Sequence, residues 1–344
     1  MKANQLFEHL IEGHDLNPEQ MQTVIHQCMN GQFSDLHIAT FLSLMRMKGE
    51  TTEELIAAAQ VMRELALPID LGDDLVDIVG TGGDGKNTFN VSTASSFVVA
   101  ATGQRVAKHG NRSVSSRSGS ADLLEQAGFI LNLSDAQTKT CIQQCKLVFL
   151  FAPHYHPAMH HVRAARQQLG IRTLFNLLGP LINPACVKKQ VVGVFSTKWL
   201  EPLARVLAHS GSERALVLSS ADGMDEISIS APTYVFEYHE GTYTPWMINP
   251  EDYGIKHNSF EELIIDSPKK SLDIIESVLS GTKGPARDIV LLNAAAALYC
   301  ANKERSFAQA IEEAQATIDS GSAASLFNEL RILTQSLNSE THHD

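Results

Sequence analysis

A glycine-dense loop set directly behind a short apolar run constrains this chain more than any other feature. Leu75-Val76-Asp77-Ile78-Val79 reads as a buried strand, and Gly80-Thr81-Gly82-Gly83-Asp84-Gly85 follows at once. Four glycines in six residues are costly in backbone entropy. At the end of a strand, such a loop lets backbone N–H groups close on a phosphate. The stretch that follows strengthens this reading. No acidic residue occurs between Asp84 and Asp122, in a chain whose net charge is −12. The same window carries Lys86, Arg105, Lys108, Arg112 and Arg117. A glycine loop followed by a basic, acid-free stretch fits a ligand with several phosphates. The acidity of the whole chain argues against general nucleic-acid binding, which normally shows a basic face.

Three readings of the loop compete. Gly80-x-Gly82-x-x-Gly85 matches the dinucleotide fingerprint, but that fold wants an acidic residue about 20 positions on. Residues 100–105 contain none. Gly80-x-x-x-x-Gly85-Lys86 approaches a P-loop, yet Asn87 stands where a hydroxyl must hold magnesium, and Thr88 comes one place late. The third reading is a tight turn without a ligand.

The chain has 344 residues, 44% of them apolar, which suits about two soluble domains. Residues 1 to about 71 read as helices. Leu6, Leu10 and Ile11 form one stripe, Met21, Ile25 and Cys28 a second, and Ile38, Phe41, Leu42 and Met45 a third. Asn17-Pro18 suits a helix start, and Thr51 with Glu54 resembles a capping box ahead of residues 56–65. After Gly72 short β-type runs alternate with helical segments. Strands are expected at 75–79, 105–108, 147–151, 190–195 and 214–218, and helices at 93–101, 121–127, 285–301, 307–318 and 322–337. This alternation indicates an α/β sheet. Residues 169–184 do not fit a sheet and could return to the helical unit. The expected architecture is therefore a small helical domain, 1–71 joined by about 166–186, and a larger α/β domain, 72–344, with a central, mostly parallel sheet. The last residues, polar from Glu340 on, are expected to fray.

Cys28, Cys141, Cys145, Cys186 and Cys300 show no zinc-type pairing and read as reduced thiols. The first residues lack the apolar core of a signal peptide, and no stretch is long enough to span a membrane. A cytoplasmic protein is expected. His154, His156, His160 and His161 lie close together, but Pro157 breaks regular spacing and no cysteine or acid joins them.

Taken together, the motifs resemble the anthranilate phosphoribosyltransferase family. They are Gly80-Thr81-Gly82-Gly83-Asp84-Gly85, Asn90-x-Ser92-Thr93, Lys108-His109-Gly110-Asn111-Arg112-Ser113-Val114-Ser115-Ser116 and Ser118-Gly119-Ser120-Ala121-Asp122. Others are His156-Pro157-Ala158-Met159, Arg166-x-x-Leu169-Gly170-Ile171-Arg172-Thr173, Phe175-Asn176-Leu177-Leu178-Gly179-Pro180 and Asp225-Glu226. The resemblance extends over nearly the whole chain. It implies a fold of the nucleoside phosphorylase/phosphoribosyltransferase type and transfer of a phosphoribosyl group from phosphoribosyl pyrophosphate (PRPP) to the amino group of anthranilate, in tryptophan biosynthesis. By the same resemblance Gly80, Gly83, Asp84, Thr88, Asn90, Val91, Ser92, Thr93, Lys108, His109, Gly110, Asn111, Arg112, Ser113, Val114, Ser115, Ser116 and Ser120 bind the donor. Gly80, Asn111 and Arg166 contact anthranilate, and Ser92, Asp225 and Glu226 hold Mg2+. His109 and His156 are expected to line the channel for the aromatic acid. A homodimer through the helical domain is implied, with no nucleic-acid or membrane partner. No glutamine amidotransferase segment precedes Met1, so a stand-alone transferase is expected. Two alternatives stay open: a pyrimidine nucleoside phosphorylase-like enzyme, and a non-catalytic relative that binds polyanions.

Overall fold

The computed structural model describes residues 1–113 and 116–340. Val114 and Ser115 of the expected donor site, and the tail expected to fray past residue 340, lie outside the described residues. The chain opens with four helices, α1 (Ala3–Ile11), α2 (Pro18–Met29), α3 (Asp35–Lys48) and α4 (Thr52–Glu64). Their starts are written locally. Asn17 accepts the Gln20 N–H ahead of Pro18, Ser34 accepts the His37 N–H, and Thr51 and Glu54 form a reciprocal capping box. The three expected stripes are buried except for Ile11, which closes the short α1 and is 63% exposed. Glu54 does a second job: fully buried, it accepts the Leu16 N–H at 2.8 Å and pairs with Lys48 at 2.9 Å.

A seven-stranded sheet follows, made of β1 (Leu75–Gly80), β2 (Arg105–Gly110), β3 (Leu147–Phe151), β4 (Lys189–Gly193), β5 (Arg214–Ser220), β6 (Thr233–His239) and β7 (Thr242–Ile248), in the order β3-β2-β1-β4-β5-β6-β7. The first five run parallel; β6 and β7 are antiparallel. The remaining helices are α5 (Val91–Ala101), α6 (Ser120–Gln126), α7 (Asp135–Cys145), α8 (Ala152–Tyr155), α9 (His160–Leu169), α10 (Leu174–Leu178), α11 (Leu200–His209), α12 (Pro268–Leu279), α13 (Pro285–Ala301), α14 (Phe307–Asp319) and α15 (Ser322–Glu340). The architecture is the helical unit plus a mostly parallel α/β unit that the sequence implies. Several expected boundaries shift by one to a few residues: α5 starts two residues early, at Val91, β4 stops at Gly193 rather than residue 195, and β2 and β5 run on to Gly110 and Ser220. The β6–β7 hairpin was not anticipated. Its two-residue turn, Glu240-Gly241, is left-handed at both positions (φ 44° and 88°), a geometry usually signalled by Asn-Gly. Pro245 sits within β7, the edge strand, opposite Phe236. Among the described residues no helix is long and apolar enough to cross a membrane.

Alternation along the strands separates two cores. Val76, Ile78, Val106, Val191, Leu216 and Leu218 face a cluster shared with α5, α13, α14 and α15. On the opposite face Val192, Val194, Ala215 and Val217 belong to a second cluster that runs through α11 into α1–α4. Val162 and Ala165 of α9, Leu174, Leu177 and Leu178 of α10, and Leu181 and Ile182 join that second cluster. Strand order reverses between β1 and β4, so loops leaving the carboxyl ends of the strands diverge there and open a crevice.

Candidate active site

The glycine loop leaves β1 at this reversal. Gly82 and Gly83 have left-handed backbones (φ 64° and 75°), and the Gly82 N–H donates to Asp225 Oδ2 at 2.6 Å. A Cβ on Gly80 would come within 2.5 Å of the same carboxylate, and one on Gly193 would overlap the Asp225 carbonyl. Two glycines on neighbouring strands thus clear a channel for the loop that follows β5. On the other side, a Cβ on Gly83 would meet Arg172 Cδ at 2.9 Å. Asp84 accepts the Lys86 N–H at 3.0 Å, and Thr88 bridges to Ile264.

The next wall is the start of α5. Asn90 Oδ1 accepts hydrogen bonds from Ser118 Oγ at 2.9 Å and Ser271 Oγ at 2.8 Å. One amide therefore pins three segments: the start of α5, the loop after β2, and α12. Lys108 on β2 is buried; its Nζ donates to Ile78 O at 2.7 Å and Ser92 Oγ at 3.2 Å. The Glu226 carboxylate accepts the Ser92 N–H, at the partly positive end of α5. Val91 and the Thr93 side chain are buried there, and Thr93 Oγ1 has no hydrogen-bond partner.

The loop after β2 folds onto itself. Gly110 packs against Phe149 and Ser120, where no Cβ would fit. Asn111 O accepts from Ala121 N at 3.2 Å and Ser120 Oγ at 3.3 Å. The Ser113 N–H binds Asp122 at 2.9 Å, and Ser113 and Ser116 hydroxyls meet at 2.8 Å. Arg112 forks onto Glu125 at 2.5 and 3.2 Å, its guanidinium 4.8 Å from the Phe151 ring centroid. In this structure its fork, which the sequence reading aimed at a phosphate, is engaged by α6.

Electrostatics marks the place where these segments meet. Burial, then the nearby Asp84 and Glu226 charges, raise the Asp225 carboxyl well above its ordinary range. Burial raises Glu226 to about 7, with Asp84 adding to the effect against the pull of Lys108. Burial lowers Lys108. Three acidic side chains crowded beside one buried lysine suit a hard, oxygen-liking cation. Among the described residues no three His, Cys, Asp or Glu side chains form a ready metal cage. A Mg2+ ion would not need one, since it keeps several waters and borrows ligands from substrate phosphates.

Arg166, expected to meet anthranilate, stands on α9. Arg166 is half-buried, and its guanidinium lies 5.5 Å from the Phe175 ring centroid on α10. It has no hydrogen bond or ion pair among the described residues, and burial lowers its pKa. His109 and His156 are buried with rings 5.2 Å apart, and among the described residues the Nε2 atom of each lacks a hydrogen-bond partner. Burial holds both imidazoles neutral, lowering His109 to about 3 and His156 to about 4. The other histidines do not join them: His154 packs on Tyr155, and His160 stacks with His161.

Two family models cover most of the chain. One, described as the helical bundle domain of a glycosyl transferase family, matches residues 4–66, and the a/b domain of the same family matches residues 72–324. Fold and site thus define a glycosyl transferase of the bundle-plus-sheet kind. An anthranilate phosphoribosyltransferase of Legionella pneumophila (strain Paris) is 70% identical over 344 residues, all of both chains. Two Saccharomyces cerevisiae anthranilate phosphoribosyltransferase structures superpose closely. The one in complex with PRPP and Mg has a TM-score of 0.88 and 27% identity, over 97% of this chain and 98% of that one. The one with 4-fluoroanthranilate has a TM-score of 0.87 and 26% identity, over 97% and 99%. The chain belongs to the anthranilate phosphoribosyltransferase family.

Proposed function

We propose that this chain joins the amino nitrogen of anthranilate to the anomeric carbon of PRPP, releasing pyrophosphate. The carrying observation is the convergence at the strand reversal. Gly82 bonds Asp225, Glu226 bonds the first turn of α5, and Lys108 bonds Ser92, so four sequence-distant segments share one anionic-ligand site. In the reaction the carbon–oxygen bond to pyrophosphate breaks, the carbon–nitrogen bond forms, and the amine gives up a proton. No protein nucleophile is needed; catalysis lies in alignment and in stabilising charge on the leaving group.

Gly80, Gly83, Asp84, Thr88 and residues 90–93 are assigned to the donor, together with Lys108, residues 109–116 and Ser120. Lys108 brings a point charge to Ser92, and the N–H groups of the glycine loop and of α5 approach the phosphates. Mg2+ bound by Ser92, Asp225 and Glu226 would neutralise pyrophosphate charge. Arg166, with a free guanidinium, receives the anthranilate carboxylate as a charge-assisted pair; Gly80 and Asn111 lie between the substrates. We assign 1–71 with about 166–186 to one domain, supported by the shared apolar cluster. A homodimer through this domain is supported by exposed Leu36 and Met47 on α3.

The test is direct. With anthranilate, PRPP and Mg2+, anthranilate fluorescence is expected to disappear as product forms. No turnover there, with turnover of a pyrimidine nucleoside and phosphate instead, would replace this reading by the phosphorylase one.

A further inference from the structure

The sheet face that looks toward the helical unit carries Val192, Val194, Ala215 and Val217, but it also holds a polar row. Asp77 on β1 and Gln190 on β4 are register partners. His109 on β2 shares their face by alternation from the Leu75–Arg105 pairing. All are buried, with Asp77 fully so. Each meets one short segment, the connector 179–183 that leaves α10 and re-enters the sheet. His109 bonds the Gly179 backbone, Gln190 Nε2 donates to Pro180 O at 3.2 Å, and Asp77 Oδ2 accepts from Asn183 Nδ2 at 2.8 Å. His156, from the neighbouring loop, bonds the Ile182 backbone. Asn183 Nδ2 also reaches Ala107 O at 2.9 Å, and Asp77 Oδ1 takes the His109 N–H at 3.3 Å. Buried polar groups survive in an apolar interface when paired, and the paired side chains of Asp77, Gln190 and Asn183 fix one arrangement where apolar contacts alone would slide.

What this clamp holds is the acceptor wall. The connector continues from α10, α10 carries Phe175, and the Arg166 guanidinium rests against the Phe175 ring. The donor groups Gly82, Ser92 and Lys108 lie on the sheet side.

We propose that Asp77, Gln190 and Asn183 are positioning residues that set the distance between the donor wall on the sheet and the Arg166 wall on α9–α10. The assignment rests on the reading of Arg166 as the acceptor's partner. Asp77 must accept two N–H groups at once, from His109 and Asn183. An Asn there offers one carbonyl and one NH2, so a donor faces a donor. Gln190→Leu keeps the bulk and leaves Pro180 O unpaired. Displacement of reacting groups by about 1 Å can cost about 100-fold in rate.

Three measurements on Asp77→Asn and Gln190→Leu test the proposal. The expected result is a drop of about 10-fold or more in kcat/KM for anthranilate, within the range for a mispositioned site. PRPP–Mg2+ binding, measured by calorimetry without acceptor, stays within about twofold of wild type in Gln190→Leu, whose lost bond reaches only the connector. Hydrogen exchange quickens in residues 174–183 but not in residues 75–80. Equal losses for donor and acceptor, or a lowered Tm with unchanged anthranilate kinetics, would overturn the assignment. If Asp77→Asn fails to fold, Gln190→Leu decides. Wild type inactive with anthranilate, yet quickened exchange confined to the connector, would sink the functional reading and leave the clamp standing.

Discussion

Arg166 illustrates what one residue can and cannot disclose. In the sequence it is a basic residue on an amphipathic helix, and only its motif sets it apart. In the structure it is a half-buried guanidinium with no hydrogen-bond or ion-pair partner among the described residues, packed on Phe175. A buried donor fork left free is costly unless a ligand completes it. Arg166→Ala is expected to raise KM for anthranilate about 10- to 100-fold, the equivalent of a charge-assisted bond of about 1.5–3 kcal/mol. KM for PRPP should stay near wild type; an equal rise in both would refute the assignment. Asp225 and Glu226 are similar. In sequence they look like any acidic turn. Their character comes from Gly80 and Gly193, which admit the loop, and from Ser92, whose N–H binds Glu226. Ser271 left no trace in the sequence, because its partner Asn90 is 181 residues away.

Elements with local punctuation were legible. Capping boxes mark α2 and α4, Pro285 opens α13, and the β-branched run Leu75–Gly80 is a strand. The β6–β7 hairpin hid behind Glu240 in a turn that usually takes Asn or Gly first. The connector after α10 was recognised only as something that is not sheet. Its chemistry predicts a pH response. His109 and His156 stay neutral in the fold at pH values well below the ordinary 6.5. Between about 4 and 6.5 these two imidazoles therefore bind more protons in the unfolded chain than in the fold, so the stability they contribute rises with pH in that window and is lost on acidification. Asp77 opposes this: burial raises it from 3.8 to about 6, so between those values the folded state holds a proton the unfolded chain lacks. Asp225 and Glu226, also raised by burial, oppose it too, so the imidazole share shows as a difference between two proteins. From pH 6.5 to pH 4 the Tm of His156→Gln is expected to rise relative to that of wild type. Identical slopes in the two proteins would remove the imidazole from the explanation.

At the level of the whole molecule, the contrast between an acidic chain and an acid-free basic window was visible in the letters. The way segments far apart in sequence share one core was not. Val162, Ala165, Leu174, Leu177 and Leu178 are buried with α1–α4. Each fully buried Leu or Val contributes about 1.5–3 kcal/mol, and a domain's net stability is only about 5–15 kcal/mol. A fragment of residues 1–71 is therefore expected to show weak helical circular dichroism and no cooperative melt, whereas the full chain melts sharply. A cooperative transition in the fragment would show that the first four helices suffice. The far flank of the sheet has a different logic. There β7 is an open edge, bordered by exposed Tyr234 and Met247, the kind of surface on which a passing strand could seed an aggregate. Pro245 interrupts it at mid-strand. A proline keeps its place in an edge strand by turning its nitrogen to the free side. An incoming chain that tried to continue the ladder would find a missing rung there, and the flank can stay bare without the sheet growing beyond it.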